Sequence, residues 1–167
     1  MRIIDRLKKR KDPNGYWRKK GVIIGNDTRI VSSTSFGSEP YLVEIGSKCN
    51  ITDFVEFITH DGGCHVLRTL FPEFKDIDCF KGKTIVGDNV FIGNHACIMP
   101  GIKIGSNCII GYGSIVTKDI PDNSVVAGVP ARVICDVNTY KEKNLCFFVH
   151  TKNMTAKEKK NYLKNKI

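Results

Sequence analysis

The chain has only four histidines, His60, His65, His95 and His150, and imidazole is the side chain best suited to take up and return a proton near neutral pH. His60 stands in Phe57-Ile-Thr-His60-Asp-Gly-Gly63, where a regular pattern stops and a long irregular stretch begins. A loop leaving a rigid scaffold is where binding groups concentrate. His60 and His65 have H-x4-H spacing, but a catalytic zinc needs three protein ligands, and the third would have to come from His95, much later in the chain. The seven cysteines form no C-x-x-C pair, which speaks against both a zinc ribbon and a disulfide framework. Cys49 and Cys108 read as small inward hydrophobes. Lys118 and Arg132 are two of only three cations between residues 91 and 134, a placement suited to anion contacts.

These groups must be positioned by a repeat of period six. From Val86 to Ile134 an aliphatic residue recurs at Val86, Ile92, Ile98, Ile104, Ile110 and Val116, usually followed by Gly, with a small or apolar residue four places on at Val90, Ala96, Ile102, Cys108, Ser114 and Ile120. A six-residue period matches neither an amphipathic helix nor simple strand alternation, but it fits a parallel β-helix in which each hexad forms one face. Both marked positions should point inward, with the glycine supplying the torsions needed near each corner. The same beat starts at Ile24, Ile30 and Phe36, slips by three residues through Tyr41-Leu42-Val43, and resumes at Ile45, Ile51 and Phe57, with inward partners Thr28, Thr34, Cys49 and Val55. Three hexads make a triangular coil, giving roughly four coils. Between residues 61 and 84 the beat fails; Leu67, Leu70, Phe71, Phe74, Ile77 and Phe80 make this insertion too apolar for a freely solvated loop, so it should cover something.

The ends read as helical. Ile3, Ile4 and Leu7 fall on one face of a short basic helix; Asp12 suits an N-cap and Pro13 the first position of a second helix, which Gly21 ends. Thr155 and Glu158 have capping-box spacing before a last basic helix with Tyr162, Leu163 and Ile167 as its apolar residues. The domain reading is an N-terminal helical segment at 1–21, a β-helix at 22–136 with its loop at 61–84, and a basic helical tail at 137–167. The net charge of +9 divides as +7 over residues 1–20, −4 over 21–140 and +6 over 141–167. Basic termini suit solvated helix faces or weak contact with an anionic membrane surface. No aromatic-interleaved basic strands appear, so nucleic acid is not an expected partner. No apolar run reaches membrane-spanning length and the start lacks a signal-peptide pattern, so a cytoplasmic location is expected.

The hexads, the ending Gly128-Val-Pro-Ala-Arg132, the segment Ile110-Gly-Tyr-Gly-Ser-Ile-Val-Thr-Lys118 and the junction at His60 together resemble the left-handed β-helix acetyltransferases. The nearest branch is that of the galactoside, maltose, xenobiotic and polysaccharide O-acetyltransferases, and the resemblance spans roughly residues 20–136. It implies an all-β solenoid, a left-handed coil that breaks the usual crossover handedness, a homotrimer with sites between subunits, and acetyl-CoA as co-substrate with no metal. His60 matches the family's general base, which would take the proton of an acceptor hydroxyl as its oxygen attacks the acetyl carbonyl and would then protonate the departing thiolate. Positions matching the family's coenzyme contacts are Phe91, Asn94, Gly111, Tyr112, Thr117, Lys118 and Arg132, with Phe91 where relatives often carry Trp. Gly37-Ser-Glu-Pro-Tyr41 resembles a segment of the polysaccharide-modifying members, making Glu39 and Tyr41 candidates for binding a sugar, with Asp61 a third. His65, His95 and His150 are assigned no role, and the group orienting His60 is not identified. Alternatives are an N-acetyltransferase acting on an amino-sugar nucleotide, a zinc carbonic anhydrase of the same architecture, and a non-catalytic scaffold.

Overall fold

The structure, a computed structural model, describes residues 3–166; the side chains of Ile3, Ile4 and Arg6 and the whole of Ile167 lie outside the described residues. Of the expected stripe Ile3-Ile4-Leu7, only Leu7 can therefore be placed, and it is exposed.

Residues up to 137 form one compact unit. Two helices open it, α1 (Ile3–Lys11) and α2 (Pro13–Lys19). Asp12 caps α2 by accepting the Gly15 N–H at 2.9 Å, and Pro13 occupies the first turn, where its missing N–H costs nothing. Gly21, at φ +97°, follows the helix end. Buried Trp17 holds α2 against the strands, its ring edge-on to Phe36 at 4.8 Å.

The strands are short and fall into three sheets that the chain visits in rotation. Face one contains Ile23–Ile24, Val43–Ile45, Thr84–Val86 and Lys103–Ile104. Face two contains Arg29–Ile30, Asn50–Ile51, Phe91–Ile92, Ile109–Ile110 and Ser124–Gly128. Face three contains Glu56–Phe57, Cys97–Ile98 and Ile115–Val116. Every pairing between successive turns is parallel, and inward residues stack in register: Ile30, Ile51, Ile92, Ile110 and Val126 on face two, Phe57, Ile98 and Val116 on face three. All the inward positions expected from the hexads are buried, the polar Thr28, Thr34 and Ser114 included. Burial raises the thiol pKa of Cys49 and Cys108, so they stay neutral fillers.

The hexad glycines do a different job from the one expected. Left-handed torsions fall two residues later, at Lys48, Phe54, Asn89, His95 and Asn107, while Gly46, Gly87, Gly93, Gly105 and Gly111 have no positive φ. What these glycines permit is close approach of successive turns: a Cβ on Gly46 would stand 2.6 Å from the Gly87 carbonyl oxygen. The coil spacing excludes a side chain there.

The insertion leaves the stack intact, because Val43 pairs directly with Thr84 and Phe57 with Ile98 across it. It contains α3 (Cys64–Leu70) and a 3-10 turn at Pro72–Phe74. Arg68 braces it, pairing with Asp78 and donating from Nε to the Ile77 carbonyl at 2.7 Å. After Gly128 the chain reverses, and Ala131–Asp136 pairs antiparallel with Ser124–Gly128.

Residues 138–167 form a second compact unit. Its helices are α4 (Val137–Asn144) and α5 (Ala156–Lys166). The capping box is present: the Thr155 N–H donates to Glu158 Oε2 at 2.8 Å and the Glu158 N–H to Thr155 Oγ1 at 3.3 Å. Ile167, counted among the apolar residues of this helix, is outside the described residues. No helix among those described is long and apolar enough to cross a membrane.

Candidate active site

His60 follows the last strand residue of the second turn by three positions, at the edge between faces three and one. Directly over it, from the first turn, comes Gly37-Ser38-Glu39. Gly37 makes this possible on two counts: its φ is +61°, and a Cβ would lie 2.4 Å from Thr59 Oγ1. Without a side chain there, the segment folds onto Thr59 and delivers Glu39 to the histidine.

Three groups converge on one oxygen of Glu39. His60 Nδ1 lies 2.9 Å from Oε2, the Thr59 hydroxyl donates to it at 2.5 Å, and the Ser38 hydroxyl donates at 3.2 Å. The Thr59 and His60 hydrogen bonds are the main reasons that the Glu39 carboxyl is held below its ordinary pKa. The sign of the linkage follows: Glu39 contributes its full share of stability above the ordinary carboxylate pKa and loses it as pH falls through the lowered native value. An ionised carboxylate only accepts hydrogen bonds, so His60 donates to Glu39 from Nδ1, and in the neutral imidazole the lone pair lies on Nε2. The imidazole side chain is 40 % exposed and Glu39 17 %, so the histidine is the more open member of the pair.

The group that orients the His60 ring, which the sequence does not identify, is Glu39; its expected contact with a sugar is not tested by this contact. A usable signal existed. One triangular turn is eighteen residues, the repeat slips by three between the first two turns, and Glu39 precedes His60 by 21.

Asp61 points elsewhere. Its Oδ1 accepts the Gly63 N–H at 2.8 Å, its Oδ2 lies 3.8 Å from Lys81 Nζ, and its N–H donates to the Cys79 carbonyl at 2.9 Å. It fastens the two ends of the insertion together beside His60. Phe80, half exposed on the returning end, presents its ring edge-on to His60 at 6.1 Å, so one wall of the site is aromatic. Tyr41 stands exposed beside Gly21, without a hydrogen bond to the His60 cluster among the described residues.

Four of the positions matched to coenzyme contacts flank face three, whose outward column is Glu56, Cys97 and Ile115. Asn94 and Tyr112 lie at the edge leading into it, and Thr117 and Lys118 at the edge leaving it, the same edge as His60. Gly111 adjoins Tyr112 with its N–H bonded to the Val126 carbonyl at 2.8 Å. Phe91 faces outward on face two, in a groove of about 400 Å³ with Lys48, Asn89 and Asn107, so the fold separates it from that group. Arg132 extends from the final hairpin, exposed, and donates to the Ala131 carbonyl at 2.9 Å. Neither Lys118 nor Arg132 enters an ion pair among the described residues.

His95 lies apart from His60, stacked on Phe54 at 4.9 Å and edge-on to Tyr112 at 5.5 Å. Among the described residues no three His, Cys, Asp or Glu side chains stand together as a metal-binding group.

Comparison with known proteins places this geometry in context. The family model for the bacterial transferase hexapeptide (six repeats) matches residues 83–118. Protein CapG of Staphylococcus aureus is 45% identical over 164 residues, covering 97% of this chain and 93% of its own. The chain spans about half the length of the galactoside and chloramphenicol acetyltransferases that it also matches. Among solved structures, the polySia specific acetyltransferase NeuO is 34% identical with a TM-score of 0.57, covering 69% of this chain and 51% of NeuO. Galactoside acetyltransferase in complex with coenzyme A is 28% identical with a TM-score of 0.57, covering 81% of this chain and 74% of that one. With near full-length similarity to CapG, a matching repeat model and structural neighbours that are acetyltransferases, this chain belongs to the hexapeptide-repeat acetyltransferase family.

Proposed function

We propose that this protein transfers an acetyl group from acetyl-CoA to a hydroxyl of a saccharide or saccharide-precursor acceptor, with His60 as general base. The observation that carries the reading is the pairing of His60 Nδ1 with Glu39 at 2.9 Å, which leaves Nε2 open at the mouth of the insertion. An alcohol is a poor nucleophile until its proton is removed as the new bond forms. Nε2 accepts that proton, and Glu39 stabilises the resulting imidazolium and fixes its ring. The proton then leaves Nε2 for the departing thiolate, restoring the base without a covalent enzyme intermediate. Acetyl-CoA supplies an activated acyl carbonyl. Its phosphates suit Lys118 and Arg132, and the strip of face three between Asn94, Tyr112 and Thr117 suits its extended arm. Phe80 offers a face to a sugar ring beside His60.

The coil is taken as left-handed and the assembly as a homotrimer, in keeping with the family. The trimer is supported by the exposed apolar residues of the insertion, Val66, Leu67, Leu70, Phe71 and Phe74, an unusual concentration for a monomer surface. Sedimentation is expected to give a single species of three chains; a monomer at working concentration would contradict this.

Lys118→Ala and Arg132→Ala are each expected to weaken acetyl-CoA binding roughly tenfold in calorimetry. Unchanged affinity in both would remove them from the coenzyme site. The reaction itself is tested by incubating the protein with acetyl-CoA and panels of sugars, amino-sugar nucleotides and oligosaccharides while following free thiol. The expected product is an alkali-labile ester. An amide product would replace a hydroxyl by an amine as the acceptor, and thiol release with none of the acceptors would reject the reading.

A further inference from the structure

We infer that the α1–α2 end of the molecule is a docking site for an acidic saccharide chain, separate from the reacting residues. Two adjoining grooves lie there. One, of about 340 Å³, is walled by Lys8, Lys11, Tyr16 and Lys19; the other, of about 510 Å³, by Arg10, Lys11 and Arg29. Both are within the roughly 300–1,000 Å³ range of ligand clefts, and Lys11 belongs to both.

The charge in these grooves is strongly positive. All five cations are exposed, and none takes part in an ion pair among the described residues. Asp12, which lines both grooves and accepts the Gly15 N–H through Oδ1, offsets only one of the five charges. A solvated helix face would spread such charges over a convex surface, whereas here they gather around two shallow, open grooves.

The walls are also held in place. Trp17 is buried against Phe36, Asn14 Nδ2 donates to the Thr28 carbonyl at 2.6 Å, Lys9 Nζ donates to the Thr34 carbonyl at 2.7 Å, and an Arg18 guanidinium N–H donates to the Ile24 carbonyl at 2.9 Å. These bonds fix the backbone that carries the groove cations, which lowers the cost of ordering the site when a ligand arrives.

An extended chain bearing carboxylates at intervals fits this arrangement. Arg10 and Arg29 offer planar forks that match a carboxylate, the lysines offer point charges between them, and the Tyr16 ring offers one stacking surface. A membrane surface would call for a broad apolar row beneath the cations, and single-stranded nucleic acid for several stacking rings; among the described residues the groove linings provide neither. The second groove lies on face two of the first turn, while His60 is at the edge between faces three and one. The site therefore holds a chain without touching the hydroxyl that reacts, raising the local concentration of acceptor. Only this last consequence rests on the acetyl-transfer reading.

The test uses the full chain with labelled polygalacturonate oligomers, neutral dextran oligomers of similar length, and phosphatidylglycerol vesicles. Polygalacturonate is expected to bind, more weakly as salt rises, and dextran is expected not to bind. Lys11→Glu/Arg29→Glu is expected to lose tenfold or more in polygalacturonate affinity with an unchanged melting temperature, while Lys159→Glu/Lys160→Glu in α5 binds as the unmodified chain does. The proposal is overturned if the Lys11/Arg29 variant binds normally, if the α5 variant shows the loss instead, if neither chain binds, or if vesicles capture the protein and polygalacturonate does not. Binding is read without turnover, so a chain that holds polygalacturonate yet acetylates nothing would sink the transferase reading and leave this one standing.

Discussion

Replacing His60 by alanine is expected to lower acetyl transfer by about 100-fold or more, the usual scale for loss of a general base, while acetyl-CoA affinity is retained. The structure separates these two outcomes. The imidazole is 40 % exposed and its ring contact is the edge-on approach to Phe80, so its removal opens no core cavity. Glu39 keeps its hydrogen bonds from Thr59 and Ser38 and remains a satisfied carboxylate. Of the residues proposed for the coenzyme, Asn94, Tyr112, Thr117 and Lys118 flank face three at later turns, whereas the ring packs against Phe80. Steady-state turnover and calorimetry on the same preparation check the prediction. Normal turnover would reject His60 as the base, and lost acetyl-CoA binding would reject the separation of the two sites.

The largest effect on stability is expected from Phe57→Ala, at about 3–5 kcal/mol, a large share of the roughly 5–15 kcal/mol that holds a typical domain together. Phe57 is fully buried and stacked on Phe36 at 4.8 Å with the rings 6° from parallel. Phe36 in turn meets Trp17 edge-on at 4.8 Å. This aromatic column runs from α2 through the first turn into the second and ends three residues before His60. Truncating it leaves a cavity that rigid neighbouring turns cannot close. The check is denaturant unfolding with an unchanged dependence on denaturant concentration. A cost near or below about 1 kcal/mol, the scale of a mild core change, would mean that the column does not bind helix to coil as described.

The stack itself was legible because each hexad repeats a rule that packing enforces: one aliphatic residue and one small residue inward per face. Val86 through Val116 satisfy it turn after turn, and their burial follows. The glycines were visible but their purpose was not. A sequence shows that position 46 lacks a side chain; it does not show the Gly87 carbonyl beside it. The left-handed corners went instead to Asn89, Asn107 and His95, types that tolerate that region better than most, and to Lys48 and Phe54, which residue type gives no reason to select. Coil handedness is likewise invisible to a period, which counts residues per turn and carries no sense of winding.

At the site, the place of His60 at the break in the repeat is legible in the sequence. Its contact with Glu39 is not legible from the hexads alone, because contacts one turn apart depend on counting the slip at Tyr41-Leu42-Val43 as well. Nor does adjacency to His60 reveal the Gly63 N–H and Lys81 ammonium beside the Asp61 carboxylate.

The proposed mechanism requires His60 and Glu39 to act as one unit, and a double-mutant cycle on turnover tests this most directly. Glu39→Gln preserves the shape and removes the charge that orients and stabilises the imidazolium. In the unmodified chain it is expected to lower turnover on the order of tenfold or more, by analogy with the carboxylate of a serine-protease triad. In the His60→Ala chain, where no ring remains to orient, the same change is expected to do nothing further. Equal losses in the two backgrounds would show that Glu39 works independently of His60 and would contradict the mechanism.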